Sequence, residues 1–224
     1  MKKLLKKLCL PTNGQRAAAL MAELSARNVP YECRENKAVV VPAKTEEAVV
    51  LCAHFDVVPG SLGYNDNGMS LALILSMLNH LPDFVEVVFT DNEECGFLGA
   101  RHYLRHNRKH LLGCVNLDVC GFGDTVYCDP MNSGIALPGC KIGRMPMNDG
   151  CLFAGHRIPA LTFSAGPADV PFAEGIRQIC RTIHNGPMDN KLEILNFDLP
   201  DLFGSFVLRA AEAFADTAYV ARAM

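Results

Sequence analysis

The sequence predicts an α/β fold: a three-layer α/β/α sandwich built on a mixed, mostly parallel sheet. Three observations predict it. Short runs of consecutive apolar residues alternate with stretches of helical periodicity. The apolar runs do not alternate with polar residues, as expected of strands covered on both faces. Acids and histidines follow the carboxyl ends of those runs, where ligands gather in open α/β sheets.

The elements follow in order. Leu4, Leu5 and Leu8, set among four lysines in Met1-Lys2-Lys3-Leu4-Leu5-Lys6-Lys7-Leu8, have the spacing of a short amphipathic helix. Ala18, Leu20, Met21 and Leu24 give a second helix over Gln15 to Arg27, with Pro11, Thr12 and Asn13 suited to its start. Ala38 to Val41 and Ala48 to Ala53 read as strands. Met69 to Leu81 reads as a buried helix stopped by Pro82, and Val85 to Thr90 as another buried strand. Leu98 to Asn107 is helical, Leu112 to Asp118 and Leu161 to Ser164 are strands, and Asp201 to Ala223 is a closing helix with a long apolar stripe.

Composition narrows the function classes. The chain has 224 residues, half of them hydrophobic and 20% charged, which suits one folded domain over 1–224 with a sizeable core and no inserted lid. A formal charge of −3 and scattered Lys and Arg leave no basic footprint for nucleic acid. The lysine-interrupted opening lacks the uninterrupted apolar core of a signal peptide, and no run reaches the roughly 18 apolar residues that span a bilayer. A cytoplasmic protein without membrane attachment is the expectation, and self-association is compatible with its size. The ten cysteines form no Cys-x-x-Cys pair and lie mostly in apolar runs, so they read as reduced, packed thiols.

The chemistry sits at the strand ends. His54-Phe55-Asp56 follows the strand ending at Ala53, and Asp66 lies in Gly63-Tyr64-Asn65-Asp66-Asn67-Gly68 at a helix start. Asp91-Asn92-Glu93-Glu94-Cys95-Gly96 follows Thr90, Asp118 follows Leu117, and His184 stands far downstream. Each has an ordinary alternative: a structural histidine, acids favoured at a helix start, an aspartate cap, a strand-ending turn. As a set they supply the imidazole and oxygen donors of a divalent zinc site.

These segments, with Asn148-Asp149 before Gly155-His156-Arg157-Ile158-Pro159-Ala160, resemble the M28 family of zinc aminopeptidases from about Val49 to Asn190. His54-Phe55-Asp56-Val57-Val58-Pro59-Gly60 alone is also similar to the related M20 peptidases. The resemblance implies the phosphorylase/hydrolase-like zinc peptidase fold and two zinc ions per chain. It implies that His54 and Asp118 hold one ion, Glu94 and His184 the other, and that Asp66 bridges them. Glu93 would be the general base, Asp56 would orient His54, and Asp66-Asn67 would be a cis peptide. The implied substrate is a peptide or amino-acid amide, cleaved at its N-terminal bond.

One departure stands out. Ile183 occupies the place before the last histidine where active members often carry a tyrosine, so Tyr64 and Arg177 become candidates for the oxyanion contact. Asp149 and Asp169 are candidates for holding a free α-amine, and Cys95 and Cys120 lie beside ligand positions. His102, His106 and His110 share helical spacing, but the third falls past the helix end. Two other functions compete: a glutaminyl-cyclase-like acyltransferase with one zinc, and a non-catalytic binding module on the same fold. The intact ligand set and Glu93 argue for hydrolysis.

Overall fold

In the computed structural model, which describes residues 1–182 and 186–223, one eight-stranded sheet organises the chain. Strands β1 (Glu32–Arg34), β2 (Ala38–Val41), β3 (Glu47–His54), β4 (Val85–Thr90), β5 (His110–Leu117), β6 (Thr125–Asp129), β7 (Lys141–Ile142) and β8 (Ala160–Gly166) lie in the order β1-β2-β4-β3-β5-β8-β6-β7. The central four, β4-β3-β5-β8, are parallel. β2 pairs antiparallel to β4 on one side, and β6 antiparallel to β8 on the other. All eight strands thus form the mixed sheet expected, with β1, β6 and β7 as additions that the sequence did not announce.

The two faces of each strand explain the layers. Val49, Leu51 and Ala53 of β3 point into one core with Val87, Phe89, Val115 and Phe163. That face is covered by α1 (Lys2–Leu8), α2 (Asn13–Ala26), α3 (Met69–Met77) and α7 (Pro200–Ala223). Val50 and Cys52 point into the other core, where α4 (Leu98–His106) supplies Ala100 and Tyr103 and α5 (Asp149–Gly155) supplies Leu152 and Phe153. Apolar residues on both faces of β3 are why its run lacked polar alternation.

Local chemistry sets the helix ends. The Thr12 side chain accepts the Gln15 N–H at 3.3 Å, capping α2. The helix expected over Met69 to Leu81 is α-helical only to Met77, then tightens into a 3₁₀ turn over Leu78–His80 before Pro82. α1 forms as predicted, and its Leu5 and Leu8 are fully buried against the domain. Five cysteines (Cys9, Cys52, Cys114, Cys120, Cys128) are buried and all ten are free thiols. Among the described residues no helix is long and apolar enough to cross a membrane.

Candidate metal centre

His54 ends β3, and Asp118 follows the last residue of the neighbouring parallel strand β5. Both therefore emerge at the same carboxyl edge. His54 Nε2 lies 3.1 Å from Asp66 Oδ1 and 3.6 Å from Asp118 Oδ1. Ligand atoms of His54, Asp66 and Glu94 all fall within 4.8 Å of one another. His184 and Ile183 lie outside the described residues.

Asp66 reaches this point through an irregular turn. Gly63 is left-handed (φ 57°), and a Cβ there would lie 2.3 Å from the Asp66 carbonyl oxygen. Only glycine permits that approach. The Asp66–Asn67 peptide is cis, as the resemblance implied. Asn65 Oδ1 accepts the Gly121 N–H at 2.7 Å, and Asn67 Nδ2 donates to the Leu117 carbonyl at 2.9 Å, so the turn is tied to the Asp118 strand end.

Asp56 does more than the sequence suggested. It stands 3.1 Å from His54 Nδ1, which fixes the ring and directs Nε2 toward the acids. It also accepts the Glu93 N–H at 3.0 Å and the Glu94 N–H at 3.1 Å. One buried carboxylate therefore sets His54, Glu93 and Glu94 together. Burial would raise its pKa, but the His54 contact and the two amides hold it below the usual value.

Glu93 is 8% exposed and lines the same cleft. Burial pushes its carboxyl up to about 9; the His54 charge opposes this, and Asp118, Asp149 and Asp66 add to it. Burial disfavours a charged His54, yet hydrogen bonds to Asp118, Asp56 and Asp66 hold its pKa well above the ordinary value. Asp149, fully buried beneath the site, is raised to about 6, chiefly by desolvation. Six carboxylates (Asp56, Asp66, Glu93, Glu94, Asp118, Asp149) thus crowd around one imidazole. Such crowding is costly without cations, and nitrogen and oxygen donors suit zinc. The residues fit the metal.

The cleft has a volume of about 310 Å³. Asp66, Glu93, Glu94 and Asp118 form its acidic floor, and Phe97, Val119, Met145, Ile176 and Ile179 its apolar wall. Val119 has φ 47°, unusual for a β-branched residue, and it turns the chain directly after Asp118. The wall residues escaped the sequence reading; Ile176, Ile179 and Cys180 on α6 (Phe172–Thr182) do carry i, i+3, i+4 spacing that could have revealed them.

Other candidates fall away. Tyr64 is buried and Arg177 pairs with Glu174 at 2.9 Å; neither lines the cleft. Asp149 accepts a hydrogen bond from Thr90 Oγ1 below the floor, and Asp169 is an exposed loop residue outside the cleft, so neither is placed to hold a substrate amine there. Cys120 points its thiol at the carbonyls of Asp118 and Phe163, and burial keeps it protonated; Cys95 is exposed. His102 and His106 stack on α4 with ring centroids 4.2 Å apart, while His110 starts β5.

The fold and the acidic strand-end site define an α/β domain with a candidate metal centre at the carboxyl edge of its parallel strands. Residues 36–134 match Peptidase family M28, a span that includes His54, Asp66, Glu93, Glu94 and Asp118. The match takes in 99 of the chain's 224 residues. It is 33% identical over 121 residues to the vacuolar membrane protease of Lodderomyces elongisporus, covering 50% of this chain but only 13% of that protein. BSAP, a zinc aminopeptidase from Bacillus subtilis, superposes with a TM-score of 0.61 at 20% identity, over 81% of this chain and 50% of that one. Bacteroides thetaiotaomicron glutaminyl cyclase superposes at 0.68 with 14% identity, over 94% of each chain. At these identities the two structures share the fold.

Proposed function

We propose that the chain is a zinc-dependent aminopeptidase that hydrolyses the N-terminal bond of a peptide or amino-acid amide. The observation that carries this reading is the convergence of His54, Asp66 and Glu94 within 4.8 Å, with Glu93 on the same cleft floor. We assign His54 and Asp118 to one ion, Glu94 and His184 to the other, and Asp66 to both. Bound zinc would supply a Lewis acid for the scissile carbonyl and a water of lowered pKa.

The chain's own residues do the rest. Glu93 takes the proton from the attacking water at its carboxylate and delivers it to the leaving amine. Burial and the neighbouring acids raise the proton affinity of Glu93, and bound cations would lower it. Asp56 holds the Glu93 backbone, so the base cannot drift from the His54 side of the site. The six carboxylates exceed the four positive charges of two divalent ions, and the residual negative charge favours a cationic α-ammonium. The wall of Phe97, Val119, Met145, Ile176 and Ile179 would take an apolar side chain on that same residue.

The test is a paired screen on the zinc-loaded protein. Leucyl and methionyl amides and short peptides with a free amine should be cleaved, and their N-acetylated counterparts should not. Equal cleavage of both would remove the aminopeptidase assignment. Cyclisation of N-terminal glutamine without hydrolysis would replace it with the cyclase reading.

A further inference from the structure

The turn that carries Asp66 is gripped from outside the metal site. After the segment 183–185, a 3₁₀ turn at Pro187–Asn190 packs against residues 60–66. Asp189 there is fully buried, though it is neither a ligand nor part of the cleft lining. Its carboxylate accepts the Asn65 N–H at 2.5 Å, the Asp66 N–H at 3.4 Å from each oxygen, and the Ser61 hydroxyl at 3.4 Å. Ser61 Oγ in turn accepts the N–H of Gly63, the residue whose left-handed backbone opens the turn. Next door, Asn190 accepts the Leu62 N–H and donates to the Gly60 carbonyl at 3.2 Å.

Burying a carboxylate against neutral donors is expensive, so the choice of residue type needs a reason. Donors approach both oxygens of Asp189, and in its ionised form it offers no donor in return. Asparagine would present an NH₂ to one of those N–H or O–H groups, and only a carboxylate can receive them all. The donors are the amides of Asn65 and Asp66 themselves. Beyond Asp66, Asn65 and Asn67 bond onward to Gly121 and Leu117. A shift of the Asp66 backbone would therefore disturb the loop on which Asp118 sits.

We infer that Asp189 is a positioning residue for the metal centre, clamping the backbone of Asp66 so that its carboxylate is set to bridge. This rests on the two-zinc reading of the site. Asp189 acts through Asp66 and touches neither substrate nor metal. Asn190 anchors the start of the same loop but not the Asp66 amide, which makes it a natural control.

The experiment compares wild type, Asp189→Asn and Asn190→Ala. Zinc affinity is measured by competition with a chromophoric chelator, melting temperature on the metal-free proteins, and kcat at saturating zinc. Asp189→Asn should weaken zinc binding by roughly 10–100-fold, the usual scale for supports behind a ligand, and saturating zinc should restore most of kcat. Asn190→Ala should lower the melting temperature without that loss of affinity. Amide exchange of Asn65 and Asp66 in the metal-free proteins provides a readout that needs no metal: both amides should exchange faster in Asp189→Asn than in wild type. Unchanged zinc affinity in Asp189→Asn, an equal affinity loss in Asn190→Ala, or unaltered exchange of the two amides would overturn the inference. A wild type that binds no zinc would sink the reading of the site itself, and the exchange measurement would still decide whether the clamp exists.

Discussion

Replacing Asp56 by alanine should damage two properties at once, in proportions the structure sets. The Asp56 carboxylate is 1% exposed and meets three groups: His54 Nδ1 at 3.1 Å, the Glu93 N–H at 3.0 Å and the Glu94 N–H at 3.1 Å. A buried donor left without its acceptor costs about 1–3 kcal/mol, so three orphaned donors could cost on the order of 3–9 kcal/mol. A water entering the vacated space would satisfy one or two of them and bring the loss to the lower half of that range. Metal affinity should fall by roughly 10–100-fold as His54 loses its orienting partner, equivalent to about 1.4–2.7 kcal/mol. Folding therefore suffers more than binding. Asparagine at this position keeps one acceptor but sets an NH₂ against the remaining amide, so it should fall between wild type and alanine. Urea unfolding of the metal-free proteins gives the first quantity and chelator competition the second. An Asp56→Ala protein with native stability and native zinc affinity would refute the view that this carboxylate is the hub of the site.

Four further outcomes follow from the same geometry. Glu93→Gln keeps the shape of the cleft and should retain zinc while kcat falls by about 10²–10⁴-fold; near-native turnover would take Glu93 out of the mechanism. Zinc affinity should rise with pH, because His54 is held protonated and must lose its proton to solvent before Nε2 can bind a cation, and the raised Glu93 carboxyl loses its proton as the cation's charge arrives. The sign for folding is the reverse. Glu93, Asp149 and Asp189, raised to about 9, 6 and 7 mainly by burial, keep protons in the fold that the unfolded chain has already lost. The metal-free protein should therefore lose stability as pH climbs from about 4 to about 9, as urea midpoints across that range would show; a flat profile would mean these groups are solvated. Gly63→Ala must move the Asp66 carbonyl out of a 2.3 Å overlap, so both stability and zinc binding should drop by more than the ~1 kcal/mol typical of a tolerated glycine change.

Much of this site was legible because its residues follow strong local signals. Uniform apolar runs located β3, β4 and β5, and the first polar residues beyond them were His54, Asp91-Asn92-Glu93-Glu94 and Asp118. Convergence then followed from parallel pairing, with His54 beside Thr90 and Cys52 beside Asn116 in register. What stayed hidden depends on distant contacts. β6 and β7 are five and two residues long and sit at the sheet's far edge, where no periodicity can develop. α6 holds Gly175 in its interior, which weakens its helical signal. Arg16 looks like the polar side of an amphipathic helix, yet it is 1% exposed and donates to the carbonyls of Phe55 and Leu62, bracing the loop beyond His54. The Asp189 clamp spans more than 120 residues of sequence, and no local pattern marks it.

The central claim is that five residues converge on a shared pair of zinc ions, with Asp66 between them. Its most direct test is the zinc bound per chain, measured by elemental analysis on protein equilibrated with zinc and freed of excess, for wild type and Asp66→Ala in parallel. Two zinc ions in wild type, largely lost in the variant, is the result predicted here. One ion per chain, or two that survive the loss of Asp66, would contradict the bridged site.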